Sequence, residues 1–251
     1  MKTTPVNNFT EIQSIYGKFI VNRHCSYQAE ALIKTGIPHI QEELDKMFAI
    51  VNSLSEGSII LDIGANIGLV GVPLAKLVKE KNGTVYCFEV QKMIYYALCG
   101  TVALNDLDNL HVFNYGLGST KTKLSVPIPD YSKEEDYGEV SLVLPHILDK
   151  YTNFESVDID TIDNLNLPRL DFIKIDVEGM EIEVLKGGVE TIKKYRPWCW
   201  IEQWRVDKDT LISQFNNIDY TIYQMDFLNV IACPNEKLST LGLTINAPIF
   251  R

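Results

Sequence analysis

The sequence predicts a doubly wound α/β domain, and three observations carry that reading: short β-rich runs alternate with helical stretches from Ser58 onward, the first run is apolar up to Asp62, and a glycine turn leads it straight into a helix. The runs are Ile59 to Ile63, Thr84 to Glu89, Leu110 to Tyr115, Leu170 to Asp176 and Trp198 to Glu202. SIILDIG is continuously apolar until Asp62, as befits a parallel strand covered by helices on both faces. Leu69 to Lys79 and Met93 to Asn105 read as amphipathic crossover helices, and Glu181 to Lys194 sets Ile182, Leu185, Val189 and Ile192 near one helical face. Tyr220 to Met225 and Leu228 to Cys233 are strand-like and joined by too few residues for a helix, so they form an antiparallel hairpin at a sheet edge. A mostly parallel seven-stranded sheet is expected.

Two regions lie outside this alternation. Residues 1–57 hold a strand-like Lys18 to Val21 and a helix-like Pro38 to Leu54, and are expected to form a small N-terminal cap on a main domain spanning 58–251. Residues 119–168 include PIPDYSKEEDYGEVSLVLP, from Pro127 to Pro145, followed by the regular VDIDTIDNL, which predicts an ordered insertion on the substrate side. A chain of 251 residues suits this single domain with its additions. A net charge of −10 disfavours a nucleic-acid or anionic-membrane partner. Five scattered cysteines without a C-x-x-C pair predict reduced thiols. No apolar run approaches the ~20 residues of a membrane span, and Met1 to Thr10 lacks a signal-peptide pattern, so a cytoplasmic location is expected. Oligomeric state has no signature in the sequence.

Ligands of open α/β sheets sit beyond the carboxyl ends of the strands, so the turn Asp62-Ile63-Gly64-Ala65-Asn66-Ile67-Gly68 is the informative one. Gly64 lets the chain turn sharply, and Gly68 lets the helix pack closely. The second strand ends in Glu89, an acid placed to accept both hydroxyls of a ribose, and the constellation predicts an adenosine-containing cofactor. NAD requires a central phosphate-facing glycine, but Asn66 stands in that neighbourhood. S-adenosylmethionine has no phosphate, and Asp62 suits its ammonium group or a bound water. An NAD-dependent oxidoreductase and a non-catalytic cofactor-binding module are the alternatives.

The turn resembles motif I of class I methyltransferases, whose Rossmann-like fold also ends in an edge hairpin. More specifically, ILDIGANIG at Ile60 to Gly68, VYCFE at Val85 to Glu89, DTIDNL at Asp160 to Leu165, FIKIDVEGMEIEVLKGG at Phe172 to Gly188 and RPWCWIE at Arg196 to Glu202 resemble the FkbM family of S-adenosylmethionine-dependent methyltransferases. YGEVSL, at Tyr137 to Leu142, is similar to a segment of some members. The resemblance implies that Asp62, Gly64, Ala65, Asn66, Gly68 and Val90 bind the cofactor, with Glu89 at the ribose and Gly116 and Leu117 near adenine. It also implies O-methylation of a small molecule or glycan. Val90 stands where family members often carry proline.

In the run from Leu170 to Gly179, strand alternation puts Lys174 and Asp176 on one side, opposite Ile173 and Ile175. Asp176 is the candidate for taking or orienting the acceptor proton, with Glu178 and Lys174 shaping the site and Glu202 a secondary candidate. The bland reading makes Asp176 and Lys174 a structural ion pair and Glu178 a helix-terminal acid. His24, His39, His111 and His146 lack metal-ligand spacing and no metal is expected, with one alternative left open, a magnesium or calcium ion bridging Asp176, Glu178 and an acceptor diol. Tyr131, Tyr137, Tyr151, Trp198, Trp200 and Trp204 are either core or a platform for a ring substrate.

Overall fold

The computed structural model describes residues 7–143, 148–240 and 248–250, with backbone alone for 239, 240 and 248–250. A hairpin, β1 (Phe9–Ser14) and β2 (Gly17–Asn22), leads into α1 (Gln28–Thr35) and α2 (Gln41–Asn52). The main sheet then begins with β3 (Ile59–Ile63), α3 (Gly71–Lys79), β4 (Thr84–Phe88), α4 (Lys92–Leu104) and β5 (Leu110–Phe113). After β6 (Gly116–Leu117), the insertion supplies β7 (Thr122–Pro127), a 3₁₀ turn (Tyr137–Glu139) and β8 (Phe154–Asp160). Next come β9 (Phe172–Ile175), α5 (Glu181–Lys186), α6 (Val189–Tyr195), β10 (Trp198–Glu202), α7 (Lys208–Ser213), β11 (Tyr220–Gln224), β12 (Asn229–Pro234) and β13 (Pro248–Phe250).

The main sheet has eight strands in the order β13-β11-β12-β10-β9-β3-β4-β5. Five are parallel neighbours, from β10 to β5, while β12 inserts antiparallel between β10 and β11. The expected seventh strand is therefore joined by an eighth, β13, which three residues near the chain's end add to the outer edge of β11. The order reverses between β3 and β9, so their carboxyl ends flank the crevice where ligands of such sheets bind.

Alternation along each strand divides the core in two. On one face, Ile60, Phe172, Trp198 and Trp200 pack against Leu74 and Val78 of α3 and Leu98 of α4. On the other, Leu61, Ile173, Ile175 and Ile201 pack against Val184 of α5, Ile192 of α6 and Leu211 of α7. Trp198 and Trp200 are thus core residues, each 1% exposed.

The predicted helix from Glu181 to Lys194 is two helices. Gly187 and Gly188 separate them, and a Cβ on Gly187 would lie 1.9 Å from the Gly118 carbonyl oxygen. The break allows the insertion backbone to touch the helical layer, where the Asp163 N–H donates to Gly187 at 2.9 Å. The described residues of the insertion place β7 and β8 in a separate sheet with β6, in the order β6-β8-β7; Leu144, Pro145, His146 and Ile147 lie outside the described residues.

The N-terminal segment contains more structure than its sequence suggested, since β1 and α1 accompany the anticipated strand and helix. Phe19, Leu32, Leu44, Met47 and Ile50 belong to the same buried cluster as Val70 and Leu98. The Ile20 N–H donates to Thr101 Oγ1 at 2.9 Å, and the Lys18 N–H to Asn105 Oδ1 at 3.1 Å, fastening β2 to α4. All five cysteines are free, and among the described residues no helix is long and apolar enough to cross a membrane.

Candidate functional site

A cavity of about 500 Å³ opens at the carboxyl ends of β3, β4, β9 and β10, a size typical of sites for small molecules and cofactors. Its floor is the turn after β3. The N–H groups of Gly64 and Ala65 both donate to the Phe88 carbonyl at 3.0 Å, tying this turn to the end of β4. Gly64 has φ +80°, and a Cβ there would stand 1.8 Å from the Asp176 carbonyl oxygen, so the turn after β3 and the end of β9 touch backbone to backbone. Asn66 takes a left-handed φ of 49°, which asparagine tolerates better than most side chains.

Glu89 is bound from two sides. The Asn66 N–H donates to its Oε2 at 2.8 Å and the Gln91 N–H to its Oε1 at 2.7 Å. Each carboxylate oxygen keeps a further lone pair, and Glu89 lines the cavity while only 5% exposed. Burial pushes its carboxyl up to about 7, against the opposing effect of the two backbone donors. Gln91 continues the wall by donating to the Tyr137 carbonyl at 2.7 Å, which anchors the insertion over this end.

At the far end stand Lys174, Asp176, Glu178 and Glu202. Lys174 Nζ lies 3.0 Å from Asp176 Oδ2, so the ion pair anticipated as the bland reading is present, yet both partners face the cavity. Burial alone would lower the Lys174 amine, but the Asp176 and Asp62 carboxylates outweigh it and hold the amine above its ordinary value. Glu178, with a left-handed φ of 58°, pairs with Arg205 at 2.8 Å instead of serving the helix terminus. Glu181 takes that role, accepting from the Val177 N–H at 2.9 Å and the Gly179 N–H at 3.1 Å. Burial pushes Glu178 up to about 8 and Glu202 up to about 9, with Asp176 adding to both.

Oxygens of Asp176, Glu178 and Glu202 come within 4.8 Å of one another, a spacing compatible with a divalent cation. Lys174 on Asp176 and Arg205 on Glu178 already bring positive charge to two of the three.

Of the residues expected to bind cofactor, Gly64, Ala65, Asn66, Glu89, Val90, Gly116 and Leu117 line the cavity, and so do Lys174, Asp176 and Glu178. Asp62 and Gly68 do not. Asp62 is fully buried beneath the floor, 3.6 Å from Lys174 Nζ. Gly68 instead faces α4, where a Cβ would meet Leu98 at 2.5 Å.

The sequence reading missed the contribution of the N-terminal segment, which lends Gln28, His39, Glu43 and Met47 to the wall along with Tyr27. The available signal was an acid on the buried stripe of a helix, because Glu43 precedes Met47 by one turn and Met47 is 1% exposed. Arg205 was also missed as a wall residue, although it follows the fifth parallel strand at its carboxyl end, next to Trp204, which the sequence offered as either core or platform. Trp204 is 54% exposed at the rim, unlike the two core tryptophans, and Tyr131 packs on Tyr137 at 5.0 Å behind Gln91.

A doubly wound sheet with a cavity at its switch point, a strand-end acid on one side and a carboxylate cluster on the other has the arrangement of a ligand-binding α/β domain. The chain belongs to the FkbM methyltransferase family: the methyltransferase FkbM domain matches residues 62–228. It is 27% identical over 192 residues to the methyltransferase sdnD of Sordaria araneosa, covering 64% of this chain and 72% of that protein. The crystal structure of methyltransferase FkbM from Methylobacillus flagellatus KT shares its fold with a TM-score of 0.51 at 19% identity. That match covers 77% of this chain and 51% of the other, so the chain spans about half the length of that relative.

Proposed function

We propose that this methyltransferase domain transfers the methyl group of S-adenosylmethionine to a hydroxyl oxygen of a small molecule or glycan. The observation that carries the reading is one continuous cavity joining Glu89 at the end of β4 to Asp176 at the end of β9 across the floor from Gly64 to Asn66. The residues suit that donor. Glu89 keeps lone pairs for a ribose diol, Gly116 and Leu117 supply the neighbouring apolar wall, and Asn66 occupies the neighbourhood in which an NAD site needs glycine.

When bound, S-adenosylmethionine supplies a methyl group activated by a sulfonium. The chain's own work is to hold an acceptor oxygen in line and to manage its proton. Asp176, one third exposed, can accept that proton or orient the hydroxyl while Lys174 fixes its other side. Glu202, its carboxyl pushed up to about 9 by burial, can donate a hydrogen bond to a further oxygen of the acceptor, while Arg205 holds Glu178 beside it. A neutral polyol fits such a wall. The net charge of −10 disfavours a nucleic-acid acceptor.

The test is transfer of a labelled methyl group from S-adenosylmethionine to a panel of hydroxylated small molecules and glycans. Asp176→Asn is expected to lower turnover by roughly a hundredfold or more while donor binding persists. Undiminished turnover in that variant removes Asp176 from the chemistry, and labelling only of nitrogen or carbon acceptors contradicts O-methylation.

A further inference from the structure

The mouth of the cavity gathers aromatic surface that the fold itself does not bury. Tyr27, Trp204 and Phe227 all line it, and each is more than half exposed. Single apolar side chains scattered over a surface are ordinary, whereas several on one opening mark a binding site. These three come from distant parts of the chain. The Gln203 N–H donates to the Leu228 carbonyl at 2.8 Å, one step beyond the Glu202–Asn229 pair, so the segments bearing Trp204 and Phe227 run side by side. Lys46 of α2 donates to the Met225 carbonyl at 2.9 Å in the same hairpin, and the Tyr27 ring rests 4.6 Å from that of His39, just ahead of α2. Trp204 is also held in place: the buried Arg205 guanidinium lies 5.0 Å from its ring centre, covering one face and leaving the other open.

Polar groups stand close to these rings. His39 lines the cavity, and its Nδ1 is buried without a hydrogen-bond partner, a deficit that a ligand hydroxyl would make good. Glu43, in the first turn of α2, lines the same wall. Both lie near enough to Asp176 to feel its carboxylate, which places them at the acceptor end. We propose that Trp204, His39 and Glu43 form the acceptor subsite, and that the acceptor is an uncharged saturated ring bearing hydroxyls, a pyranose or a cyclitol, with its C–H face stacked on the open side of Trp204 and its edge hydroxyls bonded to His39 and Glu43. The inference rests on the methyl-transfer reading given above and deepens it. The C–H groups of such a ring carry slight positive charge and meet the negative face of the indole, while its hydroxyls need donors and acceptors at the edge. A linear polyol has no face to stack, and a flat phenol has too few hydroxyls to engage both polar groups. An anionic ring is repelled by a chain of net charge −10.

The experiment measures transfer of a labelled methyl group from S-adenosylmethionine, by the full chain, to the methyl pyranosides of glucose, mannose, galactose and rhamnose and to myo-inositol. Sorbitol and catechol serve as the linear and the flat comparison. The expected result is labelling of a ring polyol with a kcat/KM about tenfold or more above that of sorbitol and catechol; the pyranoside and inositol arms tell the two kinds of ring apart. Trp204→Ala, at an exposed position that does not endanger folding, raises KM for the labelled ring by about tenfold or more with a smaller change in kcat, and Trp204→Phe recovers most of the loss. Glu43→Ala weakens the same acceptor by about fivefold or more. By calorimetry, Trp204→Ala keeps its affinity for S-adenosylhomocysteine within about threefold of wild type, since stacking serves the acceptor alone. Sorbitol or catechol labelled as well as any ring, no ring labelled, or an unchanged KM in Trp204→Ala overturns the proposal. Wild-type protein that does not bind S-adenosylhomocysteine defeats the donor reading itself, a result distinct from any preference among acceptors.

Discussion

Glu89 and Asp62 are both acids at the ends of neighbouring strands, and their fates differ for a reason visible only in three dimensions. Glu89 follows its strand into the turn, where two backbone donors fix it at the cavity edge. Asp62 lies one residue inside β3, on the face whose partner in register is Lys174, and is drawn into an interior ion pair. The first role is legible from a strand-end acid followed by a turn; the second requires knowing which strand lies alongside. Glu202 offers a test at this scale. Burial, helped by Asp176 and Glu178, pushes its carboxyl up to about 9. The folded state therefore keeps a proton that the unfolded chain releases in the ordinary carboxylate range, and this group opposes folding increasingly as pH rises toward 9. Glu202→Gln removes that titration. Its gain in Tm over wild type is expected to be larger near pH 8 than near pH 5 by about 3 °C or more, the response of a domain this size to about 1 kcal/mol. Equal gains at both pH values contradict the burial-driven shift.

At the level of elements, the parallel strands were readable because apolar runs covered on both faces leave a continuous signature, as in Ile59–Ile63, where every residue is buried. The break between α5 and α6 was not readable from periodicity, since Ile182, Leu185, Val189 and Ile192 keep nearly helical spacing across it. The paired glycines were the signal, and their cause is the passing backbone at Gly118. Gly187→Ala is expected to lower Tm by about 5 °C or more, because a Cβ 1.9 Å from a carbonyl oxygen forces the helical layer and the insertion apart. Differential scanning calorimetry measures this directly, and a change below 1 °C shows that the contact yields without strain. The hairpin β1–β2 escaped notice for another reason: β1 has only one fully buried position, so its alternation is faint.

Across the whole molecule, the N-terminal segment expected as a cap packs into the core of the sheet domain. Side chains of β2, α1 and α2 share one core with α3 and α4, and the segment forms part of the cavity wall. We therefore expect a single cooperative unfolding transition. Thr101→Val strips the acceptor from the Ile20 N–H at the fully buried Thr101, a loss of about 1–3 kcal/mol. It should lower that one transition by roughly 3–10 °C without splitting it. A separate low-temperature step would mark residues 1–57 as an independent unit. The fold class and most of the cavity floor were legible because they come from local runs and turns; the cap's wall residues were not, because they meet the site only through long-range packing.

The central claim is that the turn after β3, together with Glu89, holds the adenosyl part of a sulfonium donor. Calorimetric titration of S-adenosylhomocysteine into wild-type protein and Glu89→Ala tests it most directly. One-site binding to the wild type, weakened about tenfold or more in the variant, is the expected result; no heat of binding with either protein, or equal affinity in both, contradicts it.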